Sequence, residues 1–211
     1  MQYWLIVPSY VEAQGLTLPP YVRLIVSGVG ALSSLHTLWK TWESSIPPRA
    51  IFSIGLAGSY KPYLELGAMV FVREEIWGDL GKRKGRQFLP SPSYLLQGQK
   101  VRWTAEVELP SFLDLPQVRG LTLHTVSGSL REAQFWRRAY PDADIETQEN
   151  AAFFLFAEEK SLPLYSFRVI SNYVGYRYWA KELALQQLRT FTQTHVVRLC
   201  ERLLESHRAS P

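Results

Sequence analysis

Three polar side chains stand where apolar runs of this 211-residue chain give out. Glu12 comes just after "YWLIV" (3–7), Glu149 lies in "IETQENAAFF" (145–154), and Asn172 closes "FRVISN" (167–172). In open α/β sheets, ligands bind outside such strand ends. A carboxylate there suits proton abstraction or the holding of sugar hydroxyls, and an amide suits a polar ring edge, because it carries donors as well as an acceptor. Each residue also has a plainer use. Glu12 and Glu149 would be favoured at helix N-termini by the dipole, and Asn172 would satisfy turn backbone. The small residues Gly28 and Gly30 in "SGVG" and Gly55, Ala57 and Gly58 in "IGLAGSY" read as following the second and third strands. They suit tight turns. They form no dinucleotide fingerprint, because the residue three beyond Gly30 is Ser33. No G-x-S-x-G elbow is present. His36, His124, His195 and His207 have no metal spacing, so no metal and no cofactor is expected.

The elements that must position these residues alternate. Apolar runs at 3–7, 23–28, 50–55, 68–72, 120–126 and 164–171 read as strands, most of them continuous as in a sheet covered on both faces. Helical patterns fill 32–42 and 150–159, the latter stopped before Pro163. Trp179, Leu183, Leu188, Phe191, Val196, Leu199 and Leu203 recur every three to five residues and predict one long amphipathic C-terminal helix. Cys200 falls within it and reads as a packed thiol. Residues 73–118, rich in Pro and Gly, break the rhythm and predict hairpins. The whole pattern implies one α/β domain over residues 1–211 with a mostly parallel or mixed sheet.

Composition narrows the function. Hydrophobic residues make up 46% and charged residues 20% of the chain, as in an ordinary globular protein. No apolar run reaches membrane-spanning length, the N-terminus lacks the basic region of a signal peptide, and one cysteine cannot form an internal disulfide. A cytoplasmic location is expected. Net charge is +4, part of it in "GKRKGR" (81–86), which reads as a solvated loop; no basic stripe or nucleic-acid motif accompanies it.

Taken in order, these pieces are more specific than any one of them. "VEA" at Glu12, "SGVG" (27–30), "IGLAGSY" (54–60), "LGAMVFVREEIWGDLG" (66–81), "TVSGS" (125–129), "IETQENAAFF" (145–154) and "FRVISNYV" (167–174) resemble the purine nucleoside phosphorylase and nucleosidase superfamily over nearly the full length. Within it, "GDLG" (78–81) and "ISNYV" (170–174) are similar to the futalosine hydrolase family of the alternative menaquinone pathway. The resemblance implies a central twisted mixed sheet, partly closed like a barrel and flanked by helices. It implies that Glu12 activates water, Glu149 holds the ribose hydroxyls and Asn172 faces the purine. It also sets Gln148, Ala57, Gly58, Val126, Ser127 and Ser171 against the substrate, assigns Arg168 a structural role, and implies a homodimer acting on a purine nucleoside, with no nucleic-acid or membrane partner. Three departures stand near the expected sugar: Gln148 in place of a usual methionine, Asn150 in place of glycine, and a shortened segment at "GYRYW" (175–179).

Asn172 carries a further implication. A 6-aminopurine presents an acceptor beside a donor, which a protonated Asp would match. A 6-oxopurine presents two acceptors, N7 and O6, which an amide NH2 can serve without a change of protonation. The expected reaction is therefore hydrolysis of the N-glycosidic bond of a 6-oxopurine nucleoside. The alternatives are a phosphorylase, an adenine-releasing nucleosidase of the 5′-methylthioadenosine/S-adenosylhomocysteine type, and a non-catalytic nucleoside-binding protein.

Overall fold

The computed structural model describes residues 2–91 and 100–209. Its strands, in chain order, are β1 (Tyr3–Val7), β2 (Val22–Val26), β3 (Ile51–Ser59), β4 (Met69–Trp77), β5 (Gly81–Lys84), β6 (Gln87–Pro90), β7 (Arg102–Thr104), β8 (Gln117–Thr122), β9 (Ile145–Thr147) and β10 (Leu164–Tyr173). The helices are α1 (Tyr10–Ala13), α2 (Ala31–Glu43), α3 (Leu130–Ala139), α4 (Asn150–Glu159), α5 (Lys181–Phe191) and α6 (Val197–Ala209), with a π-helical turn at Thr192–Val196 joining the last two. The sheet is mixed and partly closed. β3 pairs with β10, β10 with β4, β4 with β8, β8 with β9, and β9 with β3 again, so five strands form a ring. β1 and β2 extend it as an open parallel wing, and β7 adds to β4.

One strand joins wing and ring. On one edge β3 pairs with β1 over Ile51–Ser53 and with β9 at Gly58 and Ser59, while β10 runs along its other edge. Residues 54–57 therefore face a gap between two partners. This corrects the expectation that Gly55, Ala57 and Gly58 follow the strand: they lie inside β3. Small residues are needed there for close approach. A Cβ on Gly55 would stand 3.1 Å from Glu12 Oε1 and from Pro8, and one on Gly58 would stand 2.9 Å from Val174.

The main core is aromatic, with Trp4, Phe52, Phe71, Phe153, Phe156 and Phe167 wholly buried, and a second cluster gathers around Leu121, Leu123 and Tyr140. The C-terminal stripe differs from its prediction in two ways. The helix begins at Lys181, leaving Trp179 and Leu183 largely exposed, and the five-residue step from Phe191 to Val196 is the π turn. One extra residue in that turn keeps both side chains on the buried face. Cys200 is buried, as a packed thiol should be.

Other elements depart from the sequence reading. β4 continues to Trp77, and "GKRKGR" is the first strand and turn of the β5–β6 hairpin instead of a loop. Helix α3 was not predicted, although Ser129 caps it, accepting the Glu132 N–H at 3.3 Å, and the Glu132 carboxylate accepts in turn from the Gly128 N–H and the Ser129 hydroxyl, both at 3.0 Å. Glu146 lies in β9, a three-residue strand too short to carry a period.

Candidate active site

Glu12 is placed by a single turn of helix. Ser9 caps α1 and its hydroxyl donates to Glu12 Oε2 at 2.6 Å, while the Glu12 N–H reaches back to Ser9 Oγ at 3.4 Å. Glu12 Oε1 accepts the Leu56 N–H at 3.0 Å, within the stretch of β3 that neither β1 nor β9 pairs. The capping use of Glu12 and its presence at a site are thus one geometry. The carboxylate fills the gap in the sheet and is buried there, at 7% exposure. Burial pushes its pKa up; the Ser9 hydroxyl, the Leu56 amide and the charge of Arg168 pull it down.

Glu149 stands at the N-cap of α4 but makes no side-chain cap bond. Its Oε1 instead accepts the N–H of Gly30 at 2.8 Å, at the start of α2. Gly30 has φ +88, a left-handed conformation that favours glycine, so "SGVG" is the tight turn its composition suggests. Burial also raises the Glu149 pKa, with Glu12 adding to the rise and Arg168 opposing it.

Asn172 follows a register shift in β10 between Ile170 and Asn172, a bulge that re-aims the strand end. Ser171 Oγ donates to Asn172 Oδ1 at 2.9 Å. The same hydroxyl also lies 3.2 Å from the Ala57 carbonyl, and among the described residues none accepts from the Asn172 NH2. Trp179 bridges back to Asn172 in antiparallel fashion, bringing the start of α5 to the same place.

These groups surround one cavity of about 360 Å3. Glu12, Glu149, Gln148 and Asn172 line it, as do Ala57, Gly58, Val126 and Ser171. Ser127 does not: its N–H and hydroxyl both go to Glu146, at 2.7 and 2.8 Å. Gln148 is held by its own bond to the His124 carbonyl at 3.0 Å. Asn150, expected near the sugar, is turned away and wholly buried. Its amide donates to Glu75, and its oxygen accepts from Ser166 at 2.8 Å and Arg168 at 2.7 Å.

Arg168 is therefore structural in its contacts, as read, and more than that in its field. It is wholly buried, bonded to Ser53 and Asn150, and its charge reaches Glu12, Glu149 and Glu75. One internal cation thus lies behind Glu12 and Glu149. Glu75 completes the layer, accepting from Thr122 at 3.0 Å and from Asn150; burial pushes its pKa up to about 7.

Sequence reasoning gave no role to several residues at the cavity. Glu146 lines it with both oxygens occupied, by Tyr60 and Ser127. Trp179, Lys181 and Leu185 reach it only because the chain after β10 folds back, a long-range event without a local signal. A larger groove of about 740 Å3, beside β7 and α4, is lined by none of the expected residues. Among the described residues no group of three or more His, Cys, Asp or Glu could hold a metal ion, and no helix is long and apolar enough to cross a membrane.

No protein-family model matches the chain. A futalosine hydrolase from Thermus thermophilus is 28% identical over 207 residues, which cover 88% of this chain and 91% of that protein. Among solved structures, a 5′-methylthioadenosine/S-adenosyl homocysteine nucleosidase from Campylobacter jejuni matches with TM-score 0.76 and 14% identity, over 96% of this chain and 99% of that one. A futalosine hydrolase from Helicobacter pylori matches with TM-score 0.72 and 11% identity, over 98% of each chain. At these identities the structural likeness is one of fold.

Proposed function

We propose that this chain, whose similarities lie within the purine nucleoside phosphorylase and nucleosidase superfamily, is a nucleosidase that hydrolyses the N-glycosidic bond of a 6-oxopurine nucleoside. Futalosine is the favoured substrate, in keeping with the Thermus thermophilus relative. The observation that carries the reading is the pairing, in one cavity, of a buried carboxylate held by two donors with an amide at the end of β10.

Each residue has a part. Glu12 takes a proton from water, whose oxygen bonds to C1′ as the C1′–N9 bond breaks. The bonding pair leaves with the purine. Positive charge develops on the sugar, and Glu149, beside it, holds the ribose hydroxyls and favours that charge. The Asn172 NH2 donates to N7 or O6 of the departing base, which takes its proton from solvent, because a neutral amide has none to give. Ala57, Gly58, Val126, Gln148 and Ser171 shape the walls. Tyr10, Leu32, Tyr176, Tyr178 and Trp179 are exposed apolar groups, the first of them at 82%, and support a homodimer.

Product analysis with inosine and futalosine tests the reaction. Free sugar and hypoxanthine are expected; sugar 1-phosphate formed only with added phosphate would make the enzyme a phosphorylase. Glu12→Gln is expected to lower turnover by about 10² or more, the range of lost acid–base catalysis. Near-normal turnover would remove Glu12 from the mechanism. Asn172→Asp tests base choice. An ionised Asp would face N7 and O6 with acceptors only, and an unpaired buried polar group costs roughly 1–3 kcal/mol. Hypoxanthine release at neutral pH should fall about 5- to 150-fold relative to adenine release. An unchanged ratio would mean that Asn172 does not read the base.

A further inference from the structure

Glu146 lines the cavity, is buried there at 4% exposure, and takes no part in the bond cleavage. It sits in the middle of β9, between Gly58 of β3 and Leu121 of β8. A charge taken out of water at such a place must be met by donors. Three meet it. The Tyr60 hydroxyl donates to Oε2, the Ser127 hydroxyl to the same oxygen at 2.8 Å, and the Ser127 N–H to Oε1 at 2.7 Å. Burial raises the Glu146 pKa, and these donors oppose the rise. Two of the three come from one segment. Residues 124–129 join β8 to α3 with no strand or helix of their own, and they carry Val126 to the cavity wall. Val126 is 47% exposed, so core packing does not fix it. Carboxylates hold the segment instead. Asp79 accepts the His124 N–H at 2.6 Å, Glu132 accepts the Gly128 N–H at 3.0 Å, and Glu146 takes Ser127 between them. The outer two contacts are exposed, where solvent and salt weaken them. Glu146 is the buried acid of the three, and it alone binds a backbone and a side-chain donor of the same residue beside Val126.

We infer that Glu146 is a positioning residue: through Ser127 it fixes the segment that holds Val126 against the nucleoside. The inference rests on the nucleosidase reading and deepens it. It gives Ser127, which does not line the cavity, a part at one remove from substrate. A wall of this kind meets the nucleoside equally before and during bond cleavage. Its loss therefore raises KM and spares kcat. An acid that served only to hold β9 in the ring would act otherwise. Its loss would lower thermal stability and leave the KM of the folded protein unchanged.

Three variants separate the segment from the core: Glu146→Gln, Ser127→Ala and Tyr60→Phe. For each, kcat and KM for hypoxanthine release from inosine and futalosine are measured beside amide hydrogen exchange of the protein without nucleoside. Glu146→Gln sets an NH2 against donors that a carboxylate had accepted. It is expected to raise KM about 10-fold or more, with kcat within about 3-fold. Its exchange should quicken at residues 124–128 and stay slow at Phe52 and Ile54 in β3. Ser127→Ala leaves the buried acid in place and decides the matter if Glu146→Gln does not fold; KM should rise about 3- to 10-fold. Tyr60→Phe removes only the donor on the core side and should lower Tm with KM within about 2-fold. Unchanged KM in Ser127→Ala and Glu146→Gln would overturn the positioning role. So would an equal rise in KM for Tyr60→Phe and Ser127→Ala, or exchange that quickens in β3 as much as in the segment. If wild type cleaves neither nucleoside, the hydrolytic reading fails by itself. Faster exchange confined to residues 124–128 would then still uphold the hold of Glu146 on the segment, and unchanged exchange would end it.

Discussion

Ser9 illustrates how much of a reacting group's chemistry can depend on the neighbour that holds it. Its hydroxyl donates to Glu12 and opposes the rise that burial imposes on that carboxyl. Ser9→Ala removes the opposing contribution, so the acidic limb of the kcat/KM profile should move to higher pH; an unmoved limb would show that Ser9 does not tune the base. Glu75 acts on stability. Its folded pKa, about 7, lies above the ordinary 4.5, so the folded state holds its proton more tightly. That contribution is full below about pH 4.5 and is lost as pH rises through about 7. Glu75→Gln should shrink the difference in denaturant midpoint between pH 5 and pH 8; an equal difference in both proteins would count against it. At this scale the sequence was most legible where polarity interrupts an apolar run: Glu12, Glu149 and Asn172 all reach the cavity. It misled at Asn150, whose neighbour Glu149 faces the cavity while Asn150 itself turns into the sheet layer, a choice made by Glu75 and Arg168 far along the chain.

Among the elements, the C-terminal helix offers a direct experiment. The π turn adds one residue between Phe191 and Val196, and Thr194 within it is exposed. Deleting Thr194 turns that step into an ordinary four-residue helical one and keeps both side chains on the core. Deleting the exposed Gln187 rotates Leu188, Phe191, Val196 and Leu199 by about 100° away from it. The first deletion should move Tm by only a few degrees, and the second should lower it by roughly 10 °C or more, since several core contacts are lost. Equal losses would mean that the turn is not a simple insertion. The five-residue step from Phe191 to Val196 was visible in the stripe, but the equal step from Leu183 to Leu188 lies in ordinary helix, so spacing alone does not mark the turn. For α3, the Ser-x-x-Glu spacing of Ser129 and Glu132 did carry a start signal. β9 and the bulge in β10 left no such trace, because three residues and one register shift carry no period.

The exposed aromatic groups bear on the state of the whole molecule. Many of the 7 Trp, 11 Tyr and 10 Phe fill the core, yet Tyr10, Tyr63, Tyr176 and Tyr178 remain more than 60% exposed. Sedimentation at micromolar concentration should give about twice the chain mass of 24.3 kDa; an active monomer would reject the dimer. The fold class was legible because continuous apolar runs alternating with helical periods admit few arrangements. Ring closure was legible through the family resemblance and not through periodicity, since it depends on β3 having three partners, two of them sharing one edge.

That shared edge has a spectroscopic consequence. The Leu56 amide proton is bound by a titrating carboxylate, where a strand interior would supply a carbonyl. Ionised Glu12 makes this a charge-assisted bond, and protonation weakens it. The Leu56 nitrogen–proton cross-peak should therefore shift with pH along the titration of Glu12, with a midpoint above the ordinary 4.5. It would report the state of the base in the resting protein, before any nucleoside is added. In Glu12→Gln the same cross-peak should stay fixed over that range, and a shift that survives the substitution would assign the titration to another group.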